Sequence, residues 1–181
     1  MSAHPVHNVA VALVWRDHDL LMVRQAAADE EPYWALPGGL LEDGELVTEA
    51  LVREVLEETG IEVVGVERLA FALQADSRRP ARFRRASGTE TGYLATVWTF
   101  DVGAWRGSVC ARDPDGVVRE AAFVPRDEAI ARLERVWWLR AAAAFIRGEV
   151  VPGALVLQRW HADGQVEDLG RIAPSPPSYK L

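Results

Sequence analysis

Three glutamates that stand close together are the strongest candidates for chemistry in this chain. Glu54, Glu57 and Glu58 have the spacing i, i+3 and i+4, so a helix would present them on one stripe of its surface. Like charges at this spacing repel by roughly 0.2–0.5 kcal/mol per pair, and a cation would relieve that repulsion. Hard oxygen donors suit Mg²⁺ or Mn²⁺, which often also hold substrate phosphate oxygens. The alternative interpretation is a solvated acidic helix face.

The residues around these glutamates carry a family resemblance. Residues 39–61 read GLLEDGELVTEALVREVLEETGI, which resembles the Nudix box at each of its defining positions. Those positions are Gly39, Glu45, Arg53, Glu54, Val55, Glu57, Glu58, Gly60 and Ile61. The resemblance continues upstream through residues 33–39 (YWALPGG) and extends more loosely over residues 6–147.

This resemblance implies a metal site. It assigns Glu54, Glu57 and Glu58 to the coordination of a divalent ion, Mg²⁺ or Mn²⁺, with a backbone carbonyl of Gly38 or Gly39 completing the shell. Glycine makes such an approach of the backbone to a ligand physically reasonable. The residue that deprotonates the attacking water differs within the family, and we expect it to be Glu54 here.

Other charged residues near the box have two possible roles each. Arg53 and Glu45 are expected to position the site, because an arginine can hold a carboxylate through two hydrogen bonds. Arg24 is either a phosphate contact, as in related proteins, or an ordinary charge at a strand end. Glu120 precedes an aromatic residue, Phe123, much as a late glutamate does in relatives, so it is a candidate metal ligand or base.

An arginine-rich stretch at residues 78–85 lies between two segments with strand composition. Arg82, Arg84 and Arg85 could clamp a substrate phosphate or nucleotide, and Phe83 could stack on a base. A charge run of this kind is more commonly a solvated loop. The whole connection between the two strand-like segments, roughly 20 residues, is longer than most, which favours a functional segment or a disordered one.

The composition restricts the class of protein. Its 181 residues, 49% of them hydrophobic, fit one domain, which we assign to residues 1–173 with an additional C-terminal hairpin at about 150–170 and a proline-rich tail at 174–181. The net charge of −7 argues against general binding to nucleic acid or to anionic membranes. A single cysteine, Cys110, and the lack of a signal-peptide or membrane-spanning pattern indicate a cytoplasmic protein.

Local patterns predict the elements that position these residues. A helix is predicted at residues 46–59, with Val47, Leu51 and Val55 on its apolar face, Val52 and Leu56 widening that face, and Gly60 as its left-handed cap. Hairpins are predicted from residues 6–15 with 20–24 and from residues 155–160 with 166–169. Further strands are predicted at 61–73, 93–102 and 120–124, and helical segments at 126–133 and 137–147.

The resemblance implies a fold class and a reaction. The fold is expected to be α/β, a Nudix-type α/β/α sandwich with a mixed β-sheet. The reaction is expected to be hydrolysis of a nucleoside diphosphate linked to another moiety, a small-molecule substrate. The alternatives are a non-catalytic Nudix-fold module that senses a nucleotide or metabolite, and a Nudix-fold isomerase. The C-terminal hairpin and the Trp137–Trp138 pair could supply a homodimer surface.

Overall fold

The computed structural model describes residues 5–26, 31–77, 93–111, 113–161 and 165–174. Three α-helices and nine strands lie within these ranges. The helices are α1 (Val47–Thr59), α2 (Arg126–Arg135) and α3 (Arg140–Ile146), with a 3₁₀ turn at Trp137–Leu139 between the last two. The strands are β1 (Val6–Arg16), β2 (Asp19–Gln25), β3 (Tyr33–Ala35), β4 (Gly38–Leu40), β5 (Ile61–Ser77), β6 (Tyr93–Gly107), β7 (Val118–Pro125), β8 (Ala154–Trp160) and β9 (Val166–Ile172).

The strands form two sheets that meet at the β1–β2 hairpin. The larger sheet has the order β4-β1-β6-β5-β8-β9, and the smaller has β3-β2-β7. The pairs β1–β6 and β5–β8 are parallel and the others antiparallel. This mixed sheet between helices confirms the predicted α/β sandwich.

Helices cover both faces of the larger sheet. One core lies between α1 and the sheet, where Ala10, Ala12 and Val14 of β1 meet Leu51 and Val55 of the helix. A larger core on the opposite face includes residues of α2 and α3. Because both faces are buried, the centre of β1 is apolar at every position rather than alternating with polar residues. The small side chains of Ala10 and Ala12 leave space for α1 to pack closely.

The helix that carries the glutamates has a narrower apolar face than predicted. Ala50, Leu51 and Val55 are buried, but Val52 and Leu56 are 36% and 46% exposed, so their assignment to the buried face was wrong. With each residue turning the helix by roughly 100°, Glu54 and Glu58 fall between the buried apolar residues, whereas Val52 and Leu56 point outward. The buried face of α1 is therefore turned toward the glutamates, and two carboxylates lie within it.

The remaining predicted elements are present, with changes at their ends. The predicted hairpin strands pair as β1–β2 and as β8–β9. Strand β5 extends to Ser77, beyond its predicted end, because β8 pairs alongside its last seven residues. Trp137 packs edge-on against Trp160, with ring centroids 4.8 Å apart, and Trp138 contacts Tyr33. These tryptophans therefore pack within the chain, and the homodimer stays a prediction.

None of the helices in the described ranges combines the length and the apolar composition needed to cross a bilayer. The longest of them, α1, has 13 residues and carries the charged cluster.

The end of α1 gives a direct test of the fold. Gly60 has φ of 72°, and its N–H donates to the carbonyl of Leu56 at 2.9 Å. A Cβ at Gly60 would lie 3.1 Å from the carbonyl oxygens of Ser108 and Cys110, whereas a Cβ at Gly44, with φ of 82°, would meet nothing within 4 Å. We expect Gly44→Ala to cost about 1–2 kcal/mol from the left-handed backbone alone.

Gly60→Ala should cost more than Gly44→Ala, since the crowding adds to the backbone strain. Each kcal/mol corresponds to a melting temperature about 2–4 °C lower for a chain of this size. Thermal unfolding of both variants measures the difference. Equal losses would mean that the 108–110 segment does not pack tightly against the helix end.

Candidate active site

The helix bearing the glutamates begins directly after a tight loop. Glu45 accepts the N–H of Glu42 at 2.9 Å, and Glu49 accepts the N–H of Leu46, the residue before the first helical turn, at 2.8 Å. The negative charge of Glu49 in this turn is favourable beside the positive end of the helix dipole. The loop thereby places Glu45 beside α1.

Arg53 connects this loop to the carboxylates of the helix. Its Nε and Nη2 donate to the two carboxylate oxygens of Glu45, both at 2.9 Å, and Nη2 also donates to the carbonyl of Leu40 at 3.1 Å. Nη1 donates to Glu54 at 2.9 Å and to Glu57 at 3.3 Å. These bonds hold the pKa of Glu45 at about 2 and raise that of Arg53. The guanidinium thus fixes three carboxylates relative to β4 and the loop.

Glu58 is the most deeply placed carboxylate of the cluster. It is only 7% exposed, and one of its oxygens accepts the N–H of Gly38 at 2.8 Å. Burial, together with the negative charges of Glu54, Asp113 and Glu57, raises the pKa of Glu58 to about 8, although the hydrogen bond from Gly38 opposes this effect. An ionised Glu58 therefore favours a nearby positive charge.

The glycine pair before the helix lets backbone and carboxylates come close. A Cβ at Gly39 would overlap the carboxylate of Glu54, and a Cβ at Gly38, where φ is 144°, would overlap the carbonyl of Ala10. Burial raises the pKa of Glu54, although Arg53 opposes this effect. The structure thus brings the predicted ligands Glu54, Glu58 and Gly38 together.

The donor set fits a hard divalent cation. It consists of carboxylate oxygens on one helix face beside a glycine backbone, the ligands that Mg²⁺ and Mn²⁺ prefer. Within the described ranges, however, no three carboxylate, histidine or cysteine side chains converge closely enough to hold a metal as they stand. Glu54 and Glu57 turn toward Arg53, and Glu58 turns toward Gly38. These three side chains would have to rotate in order to bind one metal ion together.

The sequence makes Arg24 a candidate phosphate contact and Glu120 a candidate metal ligand or base. They are directly opposite each other in β2 and β7, and their charged groups are 3.8 Å apart, each about half exposed. Glu120 shares a strand face with Ala122, whereas Phe123 points to the α1 core. The contact that the described residues give Glu120 is with Arg24, and its role as metal ligand or base stays a prediction. Local spacing does not reveal this contact, because it depends on the register of the strands.

The predicted substrate contacts Arg82, Arg84 and Arg85, with Phe83, lie outside the described residues. Asp113, in the loop before β7, was missed. Its carboxylate accepts the N–H groups of Val117 and Val118 at 2.6 and 2.7 Å, and its charge acts on Glu58. The Asp-Pro-Asp-Gly sequence at 113–116 is a turn signal that could have directed attention to it.

Comparison with known proteins agrees with this geometry. A family model of the NUDIX domain matches residues 5–163. The chain is 36% identical over 70 residues to an RNA pyrophosphohydrolase of Dinoroseobacter shibae, covering 39% of this chain and 44% of that protein. It is 42% identical over 59 residues to an ADP-ribose pyrophosphatase of Methanocaldococcus jannaschii, covering 32% and 34%. The matches span 20–44% of the length of the curated relatives.

A solved structure shows the same fold over almost the whole chain. A MutT protein from Bacillus halodurans superposes with a TM-score of 0.62 at 19% identity, covering 94% of this chain and 99% of that one. At this identity the likeness establishes the fold and nothing finer.

The burial of Glu58 predicts a pH dependence of stability. Its pKa is about 8 when folded, against 4.5 for an ordinary carboxyl. Between these values the folded state keeps a proton that the unfolded state has released, so the free energy of unfolding falls as pH rises and levels off above about 8. Glu58→Gln mimics the protonated acid. In EDTA it should match the parent at pH 5 and exceed it at pH 8.5, by on the order of a few kcal/mol.

Thermal unfolding from pH 5 to pH 9 measures this effect. Added Mg²⁺ should raise the melting temperature of the parent at pH 8.5 and leave that of Glu58→Gln unchanged. Glu42→Gln, an exposed carboxylate outside the cluster, is the control and should follow the parent. A parent with a flat profile in EDTA would contradict the proposed burial of the charge.

Arg53 should contribute to stability through the carboxylates that it holds. Arg53→Ala would leave Glu45 and Glu54, 13% and 17% exposed, without their cation, at a cost of about 3 kcal/mol. Arg106→Ala removes an exposed pair with Glu62 and should cost far less, because solvent screens an exposed pair. Urea unfolding of both variants gives the comparison, and similar losses would exclude Arg53 as a structural centre.

Proposed function

The chain belongs to the NUDIX family, and from this premise we propose that it is a divalent-metal-dependent hydrolase acting on a nucleoside diphosphate linked to another moiety. It would cleave the pyrophosphate bond. The observation that carries the proposal is the convergence of Glu54 and Glu58 on the Gly38–Gly39 backbone. The names of the two relatives above both describe pyrophosphate cleavage but differ in substrate, so they support a class of substrate rather than one compound.

Glu54, Glu57 and Glu58, with a carbonyl of Gly38 or Gly39, are the residues that would hold the metal, Mg²⁺ or alternatively Mn²⁺. When bound, such an ion neutralises charge developing on phosphate oxygens and lowers the pKa of a water. The N–H of Gly38 orients Glu58 toward the glycine backbone that would contribute the carbonyl.

Glu54 is the residue that we propose accepts the proton of the attacking water. Burial raises its pKa, which makes the carboxylate a stronger proton acceptor than an exposed one. Arg53 orients it through the 2.9 Å bond to Oε1, leaving Oε2 free of that contact. Arg53 itself acts by positioning, since its donors are committed to Glu45, Leu40 and the helix carboxylates.

Within the described residues, we propose that Arg24 contacts a phosphate of the substrate. Its guanidinium is 44% exposed and lies 3.8 Å from Glu120, beyond hydrogen-bonding distance, so its donors are available to a phosphate. Glu120 lies beside this guanidinium and stays a candidate metal ligand or base. The arginines at 82, 84 and 85 remain part of the proposal as further phosphate contacts.

Exposed residues bear on the location and the assembly of the protein. The exposed Cys110 suits a reducing compartment, and we place the protein in the cytoplasm on that basis. Trp137 and Trp138 are partly exposed, so they stay part of the surface proposed for a homodimer. The exposed side chains of Leu169 and Ile172 on β9 are available for it.

The central experiment measures product release from a panel of nucleoside diphosphate derivatives, with Mg²⁺ and with EDTA. The parent should act only with the metal. Glu58→Gln keeps the shape of the side chain but removes its charge, and turnover should fall by several orders of magnitude, at least about 10³-fold. Glu42→Gln should behave as the parent does.

The outcomes separate the three candidate functions. Binding of a nucleotide without turnover would indicate a sensing module, and rearrangement of an isoprenoid diphosphate without phosphate release would indicate an isomerase. Near-normal turnover of Glu58→Gln with Mg²⁺ would contradict the assignment of the metal site.

A further inference from the structure

A groove on the opposite side of the larger sheet from α1 has no role in the proposed reaction. Its volume is about 360 Å³, within the range of roughly 300–1,000 Å³ for small-molecule sites. Trp15, Phe145, Ile146 and Val150 form most of its apolar wall. Ile146 and Val150 are buried, while Trp15 and Phe145 are partly exposed and present ring surface to the groove.

Two arginines and one aspartate provide the polar part of the groove. Phe100 and Val102 point to the α1 core, so Asp101 between them lies on the other face of β6. Asp101 accepts a bond from Arg68 Nε at 2.8 Å, and its side chain is 11% exposed. Arg126 lines the same groove from the first turn of α2. Two positive charges thus face one buried negative charge, in a chain with a net charge of −7.

Both arginines keep hydrogen-bond donors that the described residues do not use. Arg68 is 52% exposed, and its recorded bond to Asp101 uses Nε, which leaves both Nη groups. Arg126 donates from Nη2 to the carbonyl of Ile146 at 2.6 Å. Its Nη1 lies 3.6 Å from Asp127, too far for a hydrogen bond, and that carboxylate is 96% exposed. Guanidinium groups with free donors beside apolar walls select oxyanions.

We propose that this groove binds a small organic oxyanion, a carboxylate or a phosphate monoester, that carries a planar apolar body. The oxyanion contacts Arg68 and Arg126, and the planar body packs against Trp15 and Phe145. The site is separate from the carboxylate cluster. Gly38 and Gly39 pair with Val11 and Ala10 in the middle of β1, whereas Trp15 of the groove lies near the end of that strand. The ligand of this groove therefore need not be a substrate of the proposed reaction.

Calorimetric titration of the full chain in EDTA tests the proposal with three probes: benzoate, adenosine monophosphate and inorganic phosphate. Benzoate or the nucleotide should bind with a Kd below about 1 mM, and whichever binds more tightly identifies the source of the oxyanion. Inorganic phosphate should bind more weakly than the tighter of these two probes, because it lacks the apolar body. Equal binding by phosphate would overturn the two-part site.

Two matched variants locate the binding. Arg126→Gln should raise the Kd by about tenfold or more, because a charge-assisted bond is lost. Arg119→Gln removes an exposed arginine outside the groove and should leave the Kd unchanged. A Kd that is the same in Arg126→Gln and the parent would place the ligand elsewhere and overturn the proposal, as would the absence of binding by all three probes.

A second change guards against a folding defect, since Arg126 also holds the end of α3. The double variant Arg68→Met with Asp101→Leu removes the other arginine without leaving a buried carboxylate unpaired. It should weaken binding by a similar factor while retaining the parent's circular dichroism spectrum. Unchanged affinity in this folded variant would equally overturn the site.

Discussion

The site depends on one constraint: several carboxylates must share a small volume without driving the helix and its loop apart. Arg53 meets this constraint by distributing its donors over Glu45, Glu54, Glu57 and the carbonyl of Leu40. A lysine, with a single point of charge, could not reproduce the planar fork to Glu45. The orientation of α1 relative to β4 therefore depends on this guanidinium as well as on the apolar core between α1 and β1.

The burial of Glu58 shows how fold and function compete in this chain. An apolar residue at this position would extend the core between Leu51 and Val55, whereas a carboxylate needs the N–H of Gly38 and, when charged, a nearby cation. The buried carboxylate of Glu58 thus lowers the stability of the fold at a position where its charge serves the site. This accounts for a residue that breaks the hydrophobic pattern while leaving the helix intact.

Local patterns predicted the elements well because periodicity and end signals act over a few residues. The observed helix begins one residue after its predicted start and ends at the predicted Thr59, followed by Gly60 in the left-handed conformation. The error at Val52 and Leu56 arose because hydrophobicity was used to define the buried face, although two carboxylates lie within it. The pairing of Arg24 with Glu120 could not be predicted from local spacing, because it depends on the register of strands far apart in sequence.

The segment from β4 to β5 is held at both ends, and this restricts its length. Gly39 is fixed against Ala10 in the β4–β1 ladder, and Ile61 enters β5 opposite Gly107 after a single intervening glycine. Inserting or deleting one residue within α1 would turn everything beyond that point by roughly 100° and move it by about 1.5 Å along the axis. Homologues of this chain can therefore vary the outward side chains of α1 freely, while changes in segment length are expected to be confined to loops outside it.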